Sequence, residues 1–146
     1  MVTGKAEFGR FTFTEDNILE YAREFDPQPF HVDPVAAAAG PYGGLIASGW
    51  QVACVCMRLI LDARGPRVAD PNRPNGASPG WRDMEWKKPV RPGDTLTFYR
   101  EYVDRRPSAS RPGWYILTFR STADNQHGEE VFSYVGAAMM YGSDNL

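Results

Sequence analysis

The run from residue 48 to about residue 62, Ser-Gly-Trp-Gln-Val-Ala-Cys-Val-Cys-Met-Arg-Leu-Ile-Leu-Asp, is apolar on nearly every side of a helical wheel. It predicts a helix that must be buried, and such a helix needs a second layer to surround it. The C-terminal half supplies that layer. Segments 81–88, 95–103, 115–123 and 129–141 are rich in aromatic and β-branched residues, with Leu96, Phe98 and Tyr102 on one face of the second. Val90-Arg91-Pro92-Gly93-Asp94 is a turn with Pro92 and Gly93 at the central positions of type II, and 105–112 and 124–128 read as hairpin connections. One long buried helix followed by a meander of strands implies an α+β domain in which a curved antiparallel sheet wraps the helix.

The N-terminal third reads as a series of short, well-punctuated elements. Phe11-Thr12-Phe13 is a strand-like entry, and Thr14 fits an N-cap followed by the acidic residues Glu15 and Asp16. Phe13 and Ile18 form the expected hydrophobic staple. Ile18, Leu19, Ala22 and Phe25 recur at helical spacing, so this helix runs to about Phe25 and delivers Asp26 at its end. In Asp26-Pro27-Gln28-Pro29-Phe30-His31 the two prolines push Asp26 and Gln28 away from helical geometry, which predicts a stiff, non-helical loop. Asp33-Pro34 starts a short helix over 35–39 that Gly40-Pro41 ends, and Tyr42-Gly43-Gly44 is a turn. Between residues 63 and 80 prolines, glycines, Asn72, Asn75 and Ser78 leave no period, so a long surface loop is expected. The whole of 1–146 fits one domain without internal repeats.

Composition removes several classes of function. A formal charge of −2, with basic residues scattered rather than striped, offers no electrostatic reason to expect a nucleic acid or an anionic membrane as partner. Cys54 and Cys56 would point roughly 200° apart on one helix, so neither a mutual disulfide nor a shared metal site is expected. A reducing, cytoplasmic setting follows, and no segment has signal-peptide or membrane-span character. There is no phosphate-binding glycine loop, no metal-ligand cluster and no Gly-x-Ser-x-Gly nucleophile elbow.

Two motifs remain that carry chemistry. Asp26 and His31 set a carboxylate and an imidazole five residues apart on a stiff segment, a general acid/base pair able to take a proton from water and return one to carbon. The plainer use of the same residues is an Asp-Pro turn beside a hydrogen-bonded histidine. The second histidine, His127, falls in an Asn-Gln-His-Gly turn facing solvent. Ser48 and Gln51 read as a capping box, which accounts for Ser48 structurally. That box leaves the amides of Gly49 and Trp50 unpaired at the positive end of a buried helix, where Gly49, lacking a side chain, can admit a carbonyl and hold a developing oxyanion. Arg64, Arg67, Arg73, Lys87, Lys88 and Arg91 are available for a phosphate-bearing tail or for plain surface solvation.

Phe25-Asp26-Pro27-Gln28-Pro29-Phe30-His31 followed by Gly44-Leu45-Ile46-Ala47-Ser48-Gly49 resembles the MaoC-like dehydratase family, which includes the (R)-specific enoyl-CoA hydratases, from about Phe11 to Met140. Asp26, Pro29 and His31 match the family signature Gly-Asp-x-Asn-Pro-x-His, whereas Phe25 and Gln28 replace its glycine and asparagine. The second motif keeps Gly49 and carries Ser48 where many members have histidine. The resemblance implies a hot-dog fold in which Asp26 and His31 activate one water for addition to C3 of a trans-2-enoyl thioester while the Gly49 amide stabilises the enolate-like charge. It implies substrate contacts from Gln28, Phe30, Tyr42, Ser48 and Trp50, of which the bulky Phe30, Tyr42 and Trp50 predict a short or shape-restricted pocket. It implies no metal and no redox cofactor, with coenzyme A or an acyl-carrier pantetheine as the substrate's carrier, and a second hot-dog half supplied by a homodimer or higher homo-oligomer. A hot-dog thioesterase using the same helix-end site, and a non-catalytic acyl-CoA-binding or dimerisation subunit, are the competing readings.

Overall fold

The computed structural model describes residues 4–66, 70–72, 74 and 76–142. In chain order it contains β1 (Ala6–Thr12), α1 (Glu15–Phe25), α2 (Pro29–Val32), α3 (Pro34–Ala39), α4 (Gly49–Arg64), β2 (Trp81–Trp86), β3 (Thr95–Pro107), β4 (Trp114–Asp124) and β5 (Glu130–Tyr141). The strands form one antiparallel sheet in the order β1-β3-β4-β5-β2.

Local chemistry sets the helix boundaries. Thr14 caps α1 by accepting from the Asn17 amide at 3.1 Å, and Asn17 Oδ1 accepts from the Thr14 amide at 3.1 Å, closing a reciprocal cap. Phe13 and Ile18, the staple pair, are both fully buried. Asp33 Oδ1 accepts from the amides of Val35 and Ala36, each at 3.0 Å, and starts α3 as expected. The expected loop from Asp26 to His31 is only half right. Asp26 (φ −152°, ψ 65°) and Gln28 (φ −82°, ψ 146°) are non-helical, but Pro29 then takes the first position of a one-turn helix that carries His31. A proline's fixed φ suits that position, and the missing amide costs nothing there.

The meander is also corrected. β2 leaves at one edge of the sheet and β3 lies three strand spacings away, so the turn at 90–94 belongs to a crossover rather than a hairpin. The eight residues 87–94 span up to ~26 Å, enough for the ~14 Å sideways step. Within the crossover the turn has its expected form: Gly93 has φ 93° and the Asp94 amide donates to the Arg91 carbonyl at 3.0 Å. β1 begins earlier and β3 ends later than their sequence signals. The stretch after α4 carries no regular structure among its described residues, and its Ser78 hydroxyl donates to the Ala137 carbonyl of β5 at 2.7 Å. Arg67, Arg73 and Asn75 lie outside the described residues.

The core lies between α4 and the inner face of the sheet. Val52, Ala53, Cys56 and Ile60 of α4 pack with Leu96 and Phe98 of β3, Phe119 of β4, and Val131, Phe132 and Tyr134 of β5. Tyr102, expected beside Leu96 and Phe98, is exposed near the bulge that interrupts β3. α4 is not enclosed all round in the single chain. Trp50, Cys54, Met57 and Leu61, recurring every three or four residues, form an exposed, largely apolar stripe. Nor does a mixed wheel reveal which side faces the sheet: Gln51 lies on the buried face because its Nε2 donates to the Asn17 carbonyl of α1 at 3.0 Å.

The placement of Phe98 against α4 gives a direct check. Phe98→Ala should cost about 3–5 kcal/mol in chemical denaturation, as for other fully enclosed phenyl rings. Val35→Ala, on the exposed side of α3, should stay within about 0.5 kcal/mol.

Candidate active site

Asp26 is the C-cap of α1, so the helix ends by projecting its carboxylate towards the start of α4. Both oxygens are held. Gln28 Nε2 donates to Oδ1 and the Ser48 hydroxyl donates to Oδ2, each at 2.7 Å. Ser48 does sit at the N-cap of α4, but its side chain makes no capping bond, and Gln51 turns to Asn17 instead. The expected capping box is therefore absent: both of its members are spent on tertiary partners.

His31 is almost completely buried on α2, and its Nδ1 lies 2.7 Å from the Ile46 carbonyl oxygen. A carbonyl only accepts, so Nδ1 carries the proton, and neutral His31 presents the lone pair of Nε2. Nε2 lies 3.4 Å from Asp26 Oδ2. The Ile46 carbonyl is itself fixed, because the Ile46 amide donates back to the Phe30 carbonyl at 3.0 Å and the Ala47 amide donates to Val90 at 2.8 Å. Phe30 packs edge-on against the His31 ring with centroids 4.5 Å apart, and against Tyr42 at 5.5 Å.

Burial pushes the Asp26 carboxyl up, but the Gln28 and Ser48 hydrogen bonds and the neighbouring His31 outweigh it, so Asp26 sits below the usual aspartate range. The group is an anion at neutral pH. A positive charge arising on Nε2 meets that anion at once.

Asp26, His31 and Gly49 open onto one cavity of about 360 Å³, whose walls include Tyr42, Trp50 and Trp86. Gly49 begins α4, so its amide has no acceptor within the helix, and the Ser48 side chain does not cap it. Of the residues expected to meet substrate, Tyr42 and Trp50 line the cavity, Gln28 and Ser48 grip Asp26, and Phe30 stands behind His31. Gln28, in place of the signature's asparagine, still reaches the carboxylate. Lys87 and Lys88 at the cavity edge pair with Glu130 and Glu129, while an Arg91 nitrogen donates to the Tyr42 carbonyl. Arg64 lies at the far end of α4, and His127 is exposed as expected. Among the described residues no group of side chains could hold a metal ion, and no helix is long and apolar enough to cross a membrane.

Two participants escape sequence reasoning. The Ile46 carbonyl is a backbone atom and has no signature. Trp86 stood in a strand pattern like any other aromatic, yet its Nε1–H donates to the Gly49 carbonyl at 2.8 Å.

A five-stranded antiparallel sheet wrapped on a long helix defines a hot-dog protein. The family model described as MaoC like domain matches residues 3–113, and the chain belongs to that family. The chain is 33% identical over 121 residues to the uncharacterized protein YdeM of Bacillus subtilis, covering 82% of this chain and 79% of YdeM. It superposes on the MaoC-like dehydratase of Rhodospirillum rubrum with a TM-score of 0.81 and 32% identity, covering 99% of this chain and 95% of the other. An R-hydratase from Pseudomonas aeruginosa shares the fold at a TM-score of 0.68 and 22% identity, with 100% and 84% covered.

The hydrogen bonds on Asp26 set its titration. Its folded pKa lies below the unfolded value near ~3.9, so its contribution to stability is complete above that value and is lost as pH falls through the folded pKa. In a ¹³C-carboxyl titration by NMR, Ser48→Ala should raise the Asp26 pKa relative to wild type and move the acid unfolding limb upward; an unchanged pKa would rule out the Ser48 bond.

Proposed function

We propose that the protein hydrates trans-2-enoyl thioesters to (R)-3-hydroxyacyl thioesters, and catalyses the reverse dehydration. The observation that carries this reading is the orientation of His31: Nδ1 is tied to Ile46, and Nε2 faces Asp26 Oδ2 at 3.4 Å beside the free end of α4. That gap suits two groups that share a water rather than bond to each other.

The chemistry follows from the two charges. Water bound between Asp26 and His31 is oriented by the carboxylate and loses a proton to Nε2 as its oxygen forms the bond to C3. The C2=C3 electron pair shifts towards the carbonyl, and the Gly49 amide, at the positive end of α4, holds the resulting oxyanion. The imidazolium, paired with Asp26, then gives its proton to C2 and the carbonyl re-forms. H and OH have been added across the double bond, and no electrons are exchanged with a cofactor. Coenzyme A or an acyl-carrier pantetheine serves as the carrier of the substrate. A second copy of the chain supplies the other hot-dog half, and the exposed stripe of Trp50, Met57 and Leu61 supports a covered α4 face.

The test is the loss of enoyl-thioester absorbance with crotonyl-CoA and a longer homologue. Wild type should turn over at least one of them, and Asp26→Asn and His31→Ala should each lower kcat by at least ~100-fold without loss of fold. Activity that survives either substitution would overturn the assignment. Release of free thiol from saturated acyl-CoA would make the protein a thioesterase instead.

A further inference from the structure

Trp86 has no part in the proton chemistry, yet it makes the closest approach to the residue on which the oxyanion site depends. Its position is set from the sheet side. Trp86 is the last residue of β2, it is in register with Phe132 of β5, and its ring lies 6.2 Å from the Phe132 ring. Further along β2, Trp81 stacks on Tyr134 with ring centroids 3.8 Å apart and an interplanar angle of 14°, which ties the edge strand to the core. From this anchored strand the Trp86 indole reaches over the first turn of α4.

The contact with that turn has two parts. The indole Nε1–H donates to the Gly49 carbonyl at 2.8 Å. The ring also occupies the space a side chain would need: a Cβ on Gly49 would fall 2.5 Å from Trp86 Cε2, 2.7 Å from Nε1 and 2.8 Å from Cδ2. Glycine at 49 is therefore required by Trp86 as well as by an approaching carbonyl. The first turn of a helix is where intrahelical bonds are fewest, and Ser48, which would ordinarily steady it by capping, is spent on Asp26. Trp86 also lines the cavity and meets Trp50 edge-on at 5.3 Å.

We propose that Trp86 is a positioning residue for the oxyanion site: its indole N–H and ring together hold the first turn of α4 in place of a side-chain cap, so that the Gly49 amide points at the substrate carbonyl. The inference rests on the hydratase reading given above. It assigns Trp86 a role in kcat, through the direction of a donor, over and above its role as a wall of the pocket.

Trp86→Phe keeps an aromatic ring and removes the N–H. With crotonyl-CoA it should lower kcat by about tenfold, less than the loss expected on removing an oxyanion donor outright, with KM within about twofold and with the pH profile unchanged. A raised KM at constant kcat would show a mere pocket wall and overturn the proposal. So would unchanged kinetics. A second readout does not depend on turnover: saturated butyryl-CoA should shift the Gly49 amide signal in a ¹⁵N–¹H spectrum of wild type, and that shift should shrink in Trp86→Phe at saturating ligand. A shift undiminished in the variant overturns the role of Trp86 alone. No shift in wild type overturns the oxyanion reading on which it rests.

Discussion

The hydrogen bond from Ser48 to Asp26, 2.7 Å long, is the contact on which the site depends. It joins the C-terminus of one helix to the N-terminus of another, between a fully buried hydroxyl and a half-buried carboxylate that opens onto the cavity. Charge-assisted bonds of this kind are stronger than neutral ones, and leaving such a carboxylate unpaired would be costly. With Ser48 and Gln28 in place, Asp26 is held as an anion in spite of its burial. His31 then faces a fixed negative charge. Ser48, turned to Asp26, makes no capping bond to α4, and the amide of Gly49, first in the helix, has no intrahelical acceptor in any case.

Around that contact the fold works as a set of restraints. The Ile46 carbonyl fixes the tautomer of His31, and Ile46 is fixed in turn by Phe30 and, through Ala47, by Val90 of the crossover. The crossover between β2 and β3 is therefore part of the support of the site as well as a connection between strands. β2, at the edge of the sheet, contributes Trp86 from the other side. The residues of the candidate site come from a helix C-cap, a one-turn helix and a helix N-terminus, none of which is stable alone; packing of α4 against the sheet brings them together.

What was legible in the sequence follows the range of the interactions involved. α1, its Thr14 cap and its staple could be read because their determinants lie within a few residues of one another. So could the strands of the C-terminal half and the type II turn at Pro92-Gly93. Asp26 and His31 stood out because two prolines restrict the chain between them. The capping box expected at Ser48 and Gln51 does not form for the opposite reason: a local pattern fits, but Asp26 and Asn17, each more than twenty residues away, compete for the same side chains and win. The strand order was likewise beyond reach, since a short connection with a good turn looks like a hairpin whether or not its strands are neighbours. The apolar wheel of α4 overstated burial, because the stripe of Trp50, Met57 and Leu61 stays outside the single chain. Trp86 gave no signal at all, since its importance lies in one close approach to Gly49.

The central claim is that this arrangement directs water to C3 and leaves the thioester intact. Incubation with crotonyl-CoA and with a longer enoyl-CoA homologue in H₂¹⁸O, followed by mass spectrometry of the products, tests it most directly. At least one of the two should yield a 3-hydroxyacyl group still joined to coenzyme A, with one ¹⁸O in its C3 hydroxyl. Label in the carboxylate of a released acid, or no incorporation into any product, would contradict it.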